Sequence, residues 1–157
     1  MKSGKKTVLK IILGMVAVFS ILNVSWYIWR MVKYEAYCRG WEKNPFATWI
    51  VPRYFYTDAD GYDYSVKYPE YLSVTGNLCV GLPATDGNPF TDFLIVWPKL
   101  LGGYEYGAAV SVDGKSYQIY VKADGTAVNS QDSEMAERCR DTIKDLLNRA
   151  KAMWNLE

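Results

Sequence analysis

The chain has no histidine at all. That absence removes the Ser–His and Cys–His nucleophile pairs and the histidine-ligated zinc and iron sites. Cysteine is scarce too: Cys38, Cys79 and Cys139 make an odd number with no CxxC spacing, which disfavours a thiolate metal site and a thioredoxin-like pair. Neither the phosphate-binding GxxxxGK[ST] loop nor the dinucleotide-binding GxGxxG pattern occurs. The stretch TDADGYDY carries Asp58, Asp60 and Asp63, but its glycine, Gly61, falls fourth where a calcium loop needs it sixth. An ordinary Asp/Gly turn is expected there, and neither a metal nor a cofactor is expected anywhere.

Charge is missing from one long stretch. Ile11 to Trp29 (IILGMVAVFSILNVSWYIW) holds nineteen residues without a charged side chain. As a helix it spans about 28 Å, close to the ~30 Å hydrocarbon core of a bilayer. The lysines before it, Lys2, Lys5, Lys6 and Lys10, would suit a signal peptide, but the apolar run exceeds the ~7–15 residues of such a leader. Its exit is also bulky, with Trp26, Tyr27 and Trp29 followed by Arg30 and Lys33. Indole and phenol rings suit the membrane–water interface, and long basic side chains can snorkel to it. These five residues are the expected interface anchors of a retained signal anchor, with the lipid bilayer as its first partner.

Positive residues are nearly balanced across the span, so orientation rests on the amino terminus and on the cost of moving four lysines outward, ~2.3 kcal/mol per charge per 100 mV. The expected arrangement is a cytoplasmic tail over 1–10, a single transmembrane helix over 11–29, a helical stalk and aromatic-rich linker over 30–56, and an extracytoplasmic domain over 57–157. Within the linker, NPFATWIVPRYFY suits either the interfacial layer or one side of the domain core, the latter favoured. The first 43 residues carry a net charge of +6 and the remainder −5. An acidic domain is a poor fit to nucleic acid, which demands a basic face.

Beyond residue 57 the pattern is one of strands and turns. YDYSVKYPE alternates, YLSVTGNLCVGLP reads as a strand or two, and DFLIVWP is a continuous apolar run suited to burial on both faces. Asp113-Gly114 and Asp124-Gly125 are hairpin signals between β-rich flanks, with Tyr117, Ile119 and Val121 on one face of the strand between them. From Ser133 to Trp154 apolar residues recur at helical spacing: Met135, Cys139, Ile143, Leu146, Leu147, Ala150. The expected fold is α+β: an N-terminal transmembrane helix, an antiparallel meander of about four to six strands, and a C-terminal helix packed on one face. The stretch YSVKYPEYL, followed by a meander and a closing helix, resembles the opening strand of PsbP-like domains. Only these residues carry the likeness, and no family is assigned from it.

Two groups of residues stand out as candidate sites. Cys79 in a strand and Cys139 on the helix stripe either bridge sheet to helix across a loop of about sixty residues, worth a few kcal/mol, or stay as two small buried thiols. Tyr104, Tyr106, Tyr117 and Tyr120 offer a partner-binding aromatic face, since tyrosine gives large contact area with few rotors. A core or cross-strand role is the simpler reading of the same rings.

The function expected is a non-catalytic binding or scaffolding module of the cell envelope, with a membrane or envelope protein as partner. One alternative is an accessory subunit assembling through a helix stripe of Gly14, Ala17, Ser20 and Asn23. The other is a carboxylate hydrolase, which needs two acids converging in a deep cleft.

Overall fold

The structure is a computed structural model and describes residues 2–48, 51–82 and 92–156. Trp49, one of the linker aromatics, lies outside the described residues. The chain opens with α1, Lys2–Cys38, an unbroken helix of 37 residues. Strands β1 (Glu42–Lys43), β2 (Arg53–Thr57), β3 (Asp63–Lys67), β4 (Asn77–Gly81), β5 (Phe93–Pro98), β6 (Tyr104–Val112) and β7 (Lys115–Val121) follow. A 3-10 turn over Ser130–Asp132 leads into α2 (Ser133–Arg138) and α3 (Arg140–Trp154).

The seven strands form one sheet in chain order, every neighbouring pair antiparallel. This is the expected α+β meander with more strands than expected. The additions are β1 and β2, which come from the segment read as linker. Arg53-Tyr-Phe-Tyr-Thr57 pairs residue for residue with β3, so its rings extend the sheet.

Register explains the core. Tyr64, Val80, Leu94, Ala108 and Ile119 face one another in a single row across β3 to β7. Val66, Leu78, Val96, Tyr106 and Val121 form the next row. All ten are buried, and α3 covers them with Ile143, Leu146, Leu147, Ala150 and Trp154. The helix stripe read from spacing is therefore the packed face. The helical segment itself is interrupted at Cys139 (φ −103°, ψ 16°), so two helices stand where one continuous helix was expected. Asn155 closes α3 in the left-handed conformation, and buried Leu156 then folds back with its N–H on the Lys151 carbonyl.

The hairpin signals differ in outcome. Asp113 (φ 52°) and Gly114 (φ 73°) are both left-handed, as a type I′ turn requires. At the second, only Gly125 is left-handed; Asp124 instead accepts from the N–H and the hydroxyl of Thr126, and the returning chain makes a single bridge, Val121 to Ala127.

The largest departure concerns the segment after residue 30: the helix continues to Cys38 as expected, but packed on the domain, and β1 and β2 take up part of the expected linker. The last third of α1 lies on the covered face of the sheet, with Tyr34 and Cys38 in the core and Trp29, Met31 and Tyr37 packed against it. The reason lies in helical spacing. Positions 30, 34 and 38 fall on one face, and all three are buried.

Candidate functional site

Two regions carry the residues singled out by sequence: the junction of α1 with the domain, and the second face of the sheet. At the junction the partners of α1 climb in order along the helix. The Tyr71 hydroxyl donates to the Asn23 side-chain oxygen. The Trp26 indole donates to the Ser73 carbonyl at 2.7 Å and meets the Tyr71 ring edge-on. Arg30 reaches the Pro69 carbonyl, the Tyr34 hydroxyl accepts from the Gly76 N–H at 2.7 Å, and Trp41, just past the helix, stacks on Tyr56.

Gly76 is required there by space. A Cβ on it would lie 2.2 Å from the Lys67 carbonyl oxygen and 2.7 Å from the Tyr34 ring.

Of the expected interface anchors, Trp26 and Trp29 are half-buried against the domain and Tyr27 stays exposed. Arg30 and Lys33 do not snorkel. The Arg30 side chain is only 2% exposed, with its guanidinium over the Trp26 and Tyr27 rings at 4.6 and 5.0 Å. Lys33 donates to the Lys99 carbonyl at 2.6 Å. Both cations are held by carbonyl acceptors that the domain loops supply, which sequence could not place beside them.

The second face of the sheet has, among the described residues, no helix on it. Phe55, Ser65, Cys79, Ile95, Gly107 and Tyr120 form one row across it. Phe93 and Ala109 lie in the row to one side of it, and Trp97, opposite Glu105, in the row to the other. The ring of Trp97 lies over Gly107, where a Cβ would come within 2.8 Å, and packs beside Tyr120 at 5.9 Å. A shallow groove of about 120 Å³ runs along Phe93, Ile95, Trp97 and Tyr120. The apolar run of β5 is thus buried on one face and only half-buried on the other.

The structure divides the four tyrosines. Tyr106 is buried in the core, and Tyr104 and Tyr117 pack against it from the covered face. Tyr120 alone stands on the open face, 55% exposed. The residues missed by sequence reasoning are its neighbours Trp97, Ile95 and Phe93. Their period-two spacing along β5 was the available signal.

The cysteines are divided as well. Cys79 points to the open face, whereas Cys139 packs against the covered one, so the sheet separates them and all three thiols are free. Burial pushes the Cys79 thiol up to about 11 and raises that of Cys139. Neither is a thiolate near neutral pH, which makes both poor nucleophiles.

The acids of TDADGYDY are structural. Asp58 accepts from the N–H groups of Asp60 and Tyr62 at 3.0 and 2.9 Å and from the Tyr64 hydroxyl at 3.0 Å. Arg149 of α3 pairs with Asp58, Asp60 and Asp145 and lies 3.5 Å over the Tyr62 ring. Desolvation pushes the Asp58 carboxyl up, but those hydrogen bonds and Arg149 outweigh it and hold it below the usual range.

Two broad surface hollows, of about 580 and 520 Å³, are lined in part by Glu105 and by Asp124 and Glu137. These acids are already engaged: Glu105 with Lys99, Glu137 with Arg140, Asp124 with Thr126. Compared with known proteins, the chain matches no family profile, no curated protein and no solved structure.

Proposed function

We propose that this protein is a membrane-anchored, non-catalytic binding module whose open sheet face receives a partner protein on the extracytoplasmic side. A seven-stranded sheet covered by helices on one face and, among the described residues, bare on the other carries the reading. The bare face offers Phe93, Ile95, Trp97 and Tyr120 around small Gly107 and Ala109, a combination of aromatic anchors and room for a guest. Its rim is charged, with Arg53 and Asp63 at one side and Glu105 at the other.

Anchoring is supported by α1 itself. The helix is long and apolar enough to cross a membrane, and from Lys6 to Leu22 every residue is exposed on every side. A helix apolar all round needs an apolar surrounding. Retention is supported by its continuity, because cleavage past the apolar run would sever a helix whose last third is packed in the domain. The stripe reading for an accessory subunit loses Asn23, whose side chain is taken by Tyr71 and by the Phe19 carbonyl. Engaged acids and protonated thiols argue against hydrolysis.

The test is a photo-crosslinking residue at position 120 of the full chain in cells. A discrete adduct with one membrane or envelope protein is expected, lost on Ile95→Asp and absent when the crosslinker replaces Lys144 on α3. Equal adducts from both positions, or none from 120, would overturn the partner surface. Orientation has its own check: a membrane-impermeant probe should reach a cysteine placed at Lys115 in intact cells.

A further inference from the structure

We infer that the domain sits directly on the bilayer, with the β3–β4 and β5–β6 connections sunk into its interfacial layer. This rests on the anchor reading above. The register places the start of β2, the end of β3, the start of β4, the end of β5 and the start of β6 at one end of the sheet. The ladder of contacts along α1 runs from Tyr71 and Ser73 at Asn23 and Trp26 up to Tyr56 at Trp41, so the exposed part of α1 leaves the domain at that same end. The connections there carry Phe46, Tyr71, Leu72, Val74, Leu100 and Leu101, all exposed, with Leu101 at 97%. Leu72 holds its apolar side chain outward even though its backbone is left-handed (φ 58°), a conformation a bulky residue rarely takes.

Length decides what covers these side chains. From Lys10, the last charge before the apolar run, to Asn23, the first residue held by the domain, the helix rises only about 20 Å. The hydrocarbon core is ~30 Å thick. The shortfall of about 10 Å carries the membrane boundary up to the level of Trp29, which leaves the loops that hold Asn23 and Trp26 about 5–9 Å below it. Interfacial segments settle about 5–10 Å into the headgroup–acyl boundary, which matches. Polar loops at that depth would have to thin the bilayer; exposed leucine, valine and tyrosine do not. The contact is apolar, so uncharged phosphatidylcholine suffices as the surface.

The full chain in phosphatidylcholine vesicles, with an environment-sensitive fluorescent amino acid encoded in turn at positions 16, 74, 101 and 115, tests this. Nitroxide lipids labelled near the headgroup should quench the probes at 74 and 101 and leave the one at 115 unaffected. Chain-end nitroxide should quench the probe at 16. If 16 is quenched while 74 and 101 behave like 115, the anchor stands and the seated domain is overturned. If 16 is not quenched, the anchor reading fails and the seating fails with it.

Discussion

The two parts of α1 belong to one helix but live in different surroundings. Residues 6–22 are exposed on every side, whereas from residue 23 onward the helix turns one face inward, burying Arg30, Tyr34 and Cys38. The first part is uniform because nothing else among the described residues packs on it. The second is one-sided because a sheet lies on one side only. An apolar run therefore says how much of a helix avoids water, while the position of its buried residues says what it avoids water with.

The sharpest way to break this contrast is to remove the two parts separately. Loss of residues 1–22 should leave a chain that melts cooperatively by near-ultraviolet circular dichroism. Loss of residues 1–38 strips Tyr34, Cys38 and their neighbours from the core together, a loss comparable to the ~5–15 kcal/mol total stability of a domain, and the cooperative transition should disappear.

Single substitutions at the junction come next. Tyr34→Ala deletes a fully buried ring and should cost about 3–5 kcal/mol in denaturant unfolding. Tyr34→Phe keeps the ring but leaves the buried Gly76 N–H without its acceptor, at about 1–3 kcal/mol.

Away from the junction, Asp58→Ala should cost about 1–2 kcal/mol at neutral pH through its lost hydrogen bonds. The folded-state pKa of Asp58 lies below the ordinary 3.8, so its contribution is complete above that value and fades as pH falls through the folded-state pKa. Acid titration of unfolding should therefore bring parent and variant together at low pH, and a constant difference down to pH about 2 would contradict the assignment. The smallest effect is expected at Tyr120→Ser, within about 0.5 kcal/mol of the parent in stability, while the partner adduct from a crosslinking residue at position 118 of the same groove disappears.

Much of the domain was legible in the residues themselves. The alternation of Tyr117, Ile119 and Val121, the Asp113-Gly114 turn and the stripe from Ile143 to Ala150 are local patterns, and the structure carries each of them. The docked third of α1 was hidden because its apolar face overlaps the end of the anchor-like run, so one hydropathy signal covered two surroundings. Strand β2 was obscured by its aromatic richness, which suits an interface and a sheet equally. The separation of Tyr120 from Tyr117 follows from their odd spacing in a strand; that of Cys79 from Cys139 depends on which face α3 covers, which no local pattern encodes.

The continuity of α1 from Lys2 to Cys38 makes the domain a rigid rudder on its shaft. A helix advances about 100° per residue, so the compass bearing of the open face around the helix axis is geared to the number of residues below it. One residue added between Gly14 and Leu22 would swing Tyr120 through roughly a quarter-turn relative to the start of the helix, while leaving every contact inside the domain intact.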